Sequence, residues 1–242
     1  MIIAVLNQSA RYAKKQNIVA TMVAAVNIQL QKHVCPAWGL SLWQCIYYPD
    51  PKKVPIGAYR IWLLDDADQA NALGYHDQDP NGVPYGRVFV NTTIDYGGTD
   101  YSTANSVSMV LSHEACEIVG DPEVNCWRQK MGYDISLVCQ ELCDPVQEQG
   151  YTILVNNKDK VYVSNFVLPA WFDYAPVKNA KFDYLGKLKS EFSMSPGGYM
   201  IVIENGAYKN VFGSQQAEGK LIKNASKQHP AARSFKRMHP KK

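Results

Sequence analysis

Apolar and polar positions change period several times along the chain, and each change marks an element. Residues 2–6 form a short unbroken apolar run, which predicts a buried strand. Between Ala10 and His33 the residues Ile18, Met22, Val26 and Leu30 recur at helical spacing, so a helix is expected there, ended by Pro36. Residues 40–48 and 59–64 are rich in aromatic and β-branched side chains and read as two strands. A loop through Gly82, Val83 and Pro84 leads to a further strand over 87–92. Helical spacing returns from Thr103 to Val119, and Gly120-Asp121-Pro122 closes that helix. Residues 175–200 read as a connector, after which 199–206 run as a strand into an Asn-Gly turn and 208–212 return as a hairpin. The expected class is α+β, with a main domain over 1–175 and a connector, hairpin and C-terminal arm over 176–242.

The second helix carries the chemistry. His113 and Glu117 stand four residues apart on one helical face, with Glu114 beside them. Two ligands at i and i+4 with an intervening Glu as general base is the logic of the zinc-peptidase motif H-E-x-x-H. Here the second ligand position is Glu. A solvated helix with ordinary surface carboxylates is the plainer reading, but Val107, Val110, Leu111, Ile118 and Val119 surround this face. Buried charge there needs partners or a metal. Glu141 and Asp144, in Glu141-Leu142-Cys143-Asp144-Pro145, are alternative third ligands, and Asp121 is a weaker one. A His with two carboxylates and an open position suits catalytic zinc, and such an oxygen-rich set also accepts manganese. Calcium, which takes six or more oxygens, would draw instead on Asp121, Glu123 and Asn125.

Several segments together resemble a family of poorly characterised proteins of tailed bacteriophages and prophages with a zincin-like core. They are Leu73-Gly74-Tyr75-His76-Asp77, Pro84 through Val90, Ser112-His113-Glu114 through Asp121-Pro122, Glu141 through Asp144, Val167 through Phe172, and Pro196-Gly197-Gly198-Tyr199. The likeness covers most of residues 1–200. A fainter one, limited to the S-H-E-x-x-E, D-P and E-x-x-D pattern, extends to secreted zincin-like families. The resemblance implies a mixed sheet packed on a long N-terminal helix and the metal-motif helix. The strand just upstream of the motif helix, 87–91, would then be an edge strand lining a cleft, able to pair with an extended peptide. Arg87, Phe89 and His76 are the cleft residues expected on that basis. Tyr133 and Tyr151 are candidate oxyanion donors that no spacing selects, and Trp127, Trp171 and Phe172 are expected as core or cleft-wall aromatics.

With 46% apolar residues, 242 residues can bury a full core, and no apolar run approaches the ~18 residues of a membrane-spanning helix. The N-terminus lacks a secretory pattern, so synthesis in a host cytoplasm and incorporation in a virion is the expected route. The six cysteines show no paired Cys-x-x-Cys spacing and are expected as buried thiols, with Cys126 to Cys139 or Cys143 as a candidate staple. Charge is uneven: beyond Glu218 stand eight Lys/Arg and no acid, while the rest carries 17 Lys/Arg against 22 acids. Such a tail is either solvated or an anchoring arm, with Arg233, Lys236, Arg237 and Lys241 contacting other phage structural proteins in an oligomeric assembly. Nucleic acid is a weaker candidate partner, since no binding motif accompanies the charge. Two function classes remain: a metal-dependent peptidase and a virion-associated protein on a zincin-like scaffold. The retained Glu114 favours the first; Glu117 in place of His, the arm and the phage resemblance favour the second.

Overall fold

The computed structural model describes residues 1–68, 72–130 and 136–215, a mixed α+β chain. It divides into two compact units, Met1–Val124 with Gly150–Ser164, and Asn125–Gln149 with the residues from Asn165 onward. The cuts fall after residues 124, 149 and 164. No helix among the described residues is long and apolar enough to cross a membrane.

The first unit is built on a five-stranded sheet of β1 (Ile2–Asn7), β2 (Gln44–Tyr47), β3 (Tyr59–Leu64), β4 (Gly74–Gln78) and β5 (Pro84–Phe89). Its order is β2-β1-β3-β5-β4, with β1, β2, β3 and β5 parallel and β4 antiparallel to β5. The unbroken apolar run of β1 follows from burial on both faces, as expected of a parallel strand away from the edge. Helix α1 (Gln16–Gln29) buries Val19, Met22, Val23 and Val26 along one stripe.

Three expectations are corrected here. Pro36 does not end the first helix: a π turn at Leu30–Val34 shifts the hydrogen-bond register, and Pro36 opens a new turn, α2 (Cys35–Trp38). A first-turn proline has no amide to lose, and Gly39 supplies the stop in a left-handed conformation, φ 62°. The strand expected over 87–92 instead begins at Pro84 and gives way after Phe89 to a short helix, α3 (Val90–Asp95). Residues 87–91 are therefore not an edge. Strand β5 is paired on both sides, and the edge is β4, whose Gly-Tyr-His-Asp-Gln sequence has little β propensity and reads as a loop.

Helix α4 (Val107–Gly120) carries the motif. The hairpin of β8 (Gly150–Val155) and β9 (Asp159–Ser164) packs Ile153, Val155, Val161 and Val163 around Ala25 of α1. Its outer edge is covered by side chains. Ser108 Oγ donates to the Tyr162 carbonyl (2.6 Å), Ser112 Oγ accepts from the Ser164 amide (2.6 Å), and Gln29 Nε2 donates to the Ser164 carbonyl (2.7 Å). The buried serines of α4 thus complete a strand edge that would otherwise lack partners.

The second unit holds a four-stranded antiparallel sheet, ordered β11-β10-β7-β6, from β6 (Trp127–Lys130), β7 (Ser136–Cys139), β10 (Tyr199–Glu204) and β11 (Ala207–Phe212). The expected hairpin forms, with Asn205 at φ 50° and Gly206 at φ 76°, as a type I′ turn requires. Trp127 lies on β6 against Tyr208, and Trp171 is buried with its indole N–H on the Ser193 carbonyl (2.7 Å). All six cysteines are thiols, five of them buried, so the candidate staple from Cys126 is not formed.

Asp65, just after β3, ties down the turn that follows β1. It accepts hydrogen bonds from the Ser9 hydroxyl and from the amides of Ala10 (2.9 Å) and Arg11 (3.4 Å). Burial opposes the charged form, but these donors and the Arg11 charge outweigh it and hold the carboxyl below its ordinary value. A carboxyl with a lowered folded pKa contributes stability above its unfolded pKa, and loses it as pH falls through the folded one. Asp65→Asn should therefore be less stable than the parent at neutral pH, with the gap closing below about pH 4. Denaturant titrations at pH 7 and pH 3 measure both gaps.

Candidate metal centre

The geometry starts at the N-terminus of α4, where the Ser106 hydroxyl caps the Met109 amide (3.3 Å) and sets the helix phase. One turn and a half on, His113 Nε2 and Glu117 Oε1 face each other at 3.0 Å, as their four-residue spacing predicts. Asp121 ends the helix, its amide on the Glu117 carbonyl (2.7 Å).

The third member comes from β4. His76 is fully buried, with Nδ1 3.1 Å from Glu117 Oε2 and 3.8 Å from Glu114 Oε2. Glu117 therefore meets one imzidazole with each oxygen. The same face of β4 presents Gly74 and Gln78: a Cβ at Gly74 would stand 2.9 Å from Glu114 Oε1 and 2.7 Å from Val110 Cγ1, while Gln78 Nε2 donates to the Glu123 carbonyl (2.7 Å). Alternate residues of one strand thus make room for Glu114, hold Glu117 and fix the chain beyond α4.

Glu114 and Glu117 are 4% and 1% exposed, and Glu114 Oε2 has no hydrogen-bond partner among the described residues. A buried carboxylate oxygen left so is costly unless a cation compensates it. The donor set fits: the His113 imidazole and the Glu117 carboxylate are borderline-to-hard ligands suited to zinc or manganese. Two atoms bound tetrahedrally to zinc lie ~3.4 Å apart, close to the 3.0 Å that separates His113 Nε2 from Glu117 Oε1. The described chain has acidic and histidine groups that could hold a metal ion. The residues involved are His76, His113, Glu117 and Asp121 of the first unit, and Cys139, Glu141 and Asp144 of the second.

Within the second unit Glu141 and Asp144 are buried, and the Cys139 thiol donates to Glu141 Oε1 at 3.1 Å. Their loop is held from two sides: the Val167 amide donates to the Leu142 carbonyl (2.7 Å) and the Ser195 amide to the Pro145 carbonyl (2.9 Å). Gly198 lies so close that a Cβ would meet the Pro145 carbonyl oxygen at 2.2 Å. Val167, Ser195 and Gly198 thus hold this loop in place.

Other expected site residues fall elsewhere. Arg87 pairs across the strands with Tyr75 and lies on the sheet face opposite α4, its guanidinium over the rings of Tyr75 (5.9 Å) and Tyr85 (5.3 Å) and paired with Asp68. Burial, with Tyr85 and Asp68, pushes the Tyr75 phenol up. Phe89 is buried on that same face, its ring 5.9 Å from Tyr75. Neither comes together with His113, Glu114 and Glu117. Tyr151 lies on β8, its hydroxyl 2.7 Å from His33 Nδ1. Of the set weighed for calcium, Asp121 is buried while Glu123 and Asn125 are exposed. Tyr133, Arg233, Lys236, Arg237 and Lys241 lie outside the described residues. Sequence reasoning placed His76 at a cleft rim and missed its place beside Glu117; the alternation Gly74, His76, Gln78 was the available signal.

Comparison of the chain with protein-family models, curated proteins and solved structures gives no match.

Gly74→Ala should destabilise the fold by about 1–3 kcal/mol through overpacking. Gly86→Ala should cost less, since its Cβ would meet only the flexible Ile61 and Ile118 side chains, at 3.0 and 3.4 Å. Paired denaturation curves give the ranking.

Proposed function

We propose that the first unit is a zincin-like metal-binding domain in which His113 and Glu117 hold a divalent ion, zinc or manganese, and Glu114 is the general base for hydrolysis of a peptide bond. The observation that carries this reading is Glu114: a buried carboxylate with one oxygen lacking a hydrogen-bond partner, one residue from a His–Glu ligand pair on the same helix. The parallel sheet with one antiparallel edge strand, flanked by α1 and α4, supports the zincin-like assignment. The sequence pattern offers Glu141 or Asp144 as a third protein ligand; within the second unit both are buried carboxylates.

A divalent ion bound here supplies Lewis acidity toward the substrate carbonyl and the attacking water. With an ion held by His113 and Glu117, Glu114 would take a proton from the attacking water and return it to the leaving amine. His113 and Glu117 fix the ligand direction, because both extend from the same turns of α4.

A second reading rests on charge. With eight cationic residues beyond Glu218 against a net acidic remainder, the chain suits a virion-associated protein anchored by its C-terminal arm, its metal serving stability alone.

The purified chain should hold near one equivalent of zinc or manganese by elemental mass spectrometry, and His113→Ala should lose it. Glu114→Gln should keep the metal and the melting temperature while peptide cleavage falls by about 10²–10⁴-fold. Metal bound without cleavage by the parent chain would favour the second reading. On that reading a chain ending at residue 218 is absent from purified particles; its normal incorporation would remove the arm from the account.

A further inference from the structure

We propose that His76 is a positioning residue for Glu117, supplied by the edge strand to offset the use of a carboxylate where a neutral imidazole would serve as second ligand. The inference rests on the metal-binding reading above.

A carboxylate ligand raises two difficulties that a histidine does not. It brings a second negative charge beside Glu114 into a buried site, and it donates more charge to the ion, lowering its power to activate water and carbonyl. It also has two oxygens and can rotate, so its ligand direction is poorly fixed.

His76 meets both difficulties. Glu117 uses its oxygens separately: Oε1 faces His113 Nε2 at 3.0 Å, and Oε2 faces His76 Nδ1 at 3.1 Å. An ionised carboxylate only accepts, so His76 Nδ1 carries the hydrogen and donates it to Oε2. That bond stops rotation about the carboxylate and keeps Oε1 on the His113 side. It also draws charge toward Oε2 and away from the oxygen left for the ion, as hydrogen bonds from outside the ligand set tune a metal's ligands. The same nitrogen is 3.8 Å from Glu114 Oε2, so its partial positive charge lies between two carboxylates that would otherwise repel.

The strand gives this donor little freedom. His76 is 0% exposed and pairs across the ladder with Gly86, whose own neighbour on β3 is Ile61. A donor on a mobile loop would lose much of the effect to side-chain and backbone entropy.

The test compares the parent chain with His76→Leu and His76→Asn. Asparagine places an amide N–H two bonds beyond Cβ, where Nδ1 stands, while leucine offers no donor. Zinc affinity would be measured by chelator competition, and Co²⁺-loaded protein by its visible absorption spectrum, beside thermal melts of the metal-free chains. His76→Leu is expected to bind zinc about 10–100-fold more weakly, with an altered cobalt spectrum. His76→Asn is expected to stay close to the parent in both. A purely structural role would lower the metal-free melting temperature and leave affinity and spectrum of the folded fraction unchanged. The proposal is overturned if the leucine variant binds and absorbs like the parent, or if the asparagine variant is as impaired as the leucine one. It is also overturned if the parent holds two ions and His76→Leu one, since His76 would then be a ligand itself. Should the leucine variant fail to fold, His76→Phe, a ring of similar shape without a donor, takes its place with the same expected loss of affinity, and parent-like binding by it overturns the proposal. Absence of metal from the parent chain would instead remove the metal-binding reading, and this inference with it.

Discussion

Strand β4 joins the sheet antiparallel to β5 with His76 opposite Gly86, and a pleated strand shows alternate residues to alternate faces. That register decides what α4 meets. Gly74, His76 and Gln78 turn toward the helix, while Tyr75 and Arg87 turn away into their own stack with Tyr85 and Asp68. A slip of one residue would bring Tyr75 and Asp77 against Glu114 and Glu117, a bulky ring where there is no room and a third carboxylate where there are already two. The stacked tyrosines, the guanidinium and the Asp68 pair therefore serve the candidate centre without touching it, since they reward the same register from the other face.

Helix α4 is loaded with polar side chains on two sides, yet most have an assigned partner. Ser108 and Ser112 close the edge of β9 on one side, and His113 and Glu117 pair on another. Serine inside a helix ordinarily competes with the backbone and weakens it. Here each hydroxyl replaces a missing ladder bond of the hairpin. Among the described residues Glu114 Oε2 has no hydrogen-bond partner, and its residue adjoins the His113–Glu117 pair on the same helix.

Much of the frame was legible in the residues. The apolar run of β1, the aromatic and β-branched strand β3, the Asn-Gly hairpin and the i, i+4 pair of α4 all carry strong local signals, and all appear. What was not legible depends on partners distant in sequence. Strand β4 has the composition of a loop and becomes a strand only because β5 pairs with it and α4 covers it. The π turn before Pro36 has no local signature, and the hydrogen-bond shift it makes lets the helical path pass a residue that reads as a stop. Arg87 and Phe89 were expected at a cleft through their closeness in sequence to the motif, but which face of a sheet a residue occupies depends on register, which sequence alone does not give. His113, Glu114 and Glu117 do come together, and His76 joins them from a segment that sequence had placed at the rim.

The first unit is completed by residues 150–164, which follow α4 only after the second-unit segment 125–149. Until then Ala25 and the two serines of α4 lack the hairpin that covers them, and the chain must hold an uncovered apolar and polar surface while residues 125–149 are added. Contacts of such long sequence separation form late and slowly. The motif helix is thus complete in the chain before the hairpin that packs on it, so a chain cut short before residue 150 would carry every proposed first-unit ligand while Ser108 and Ser112 lacked their partners.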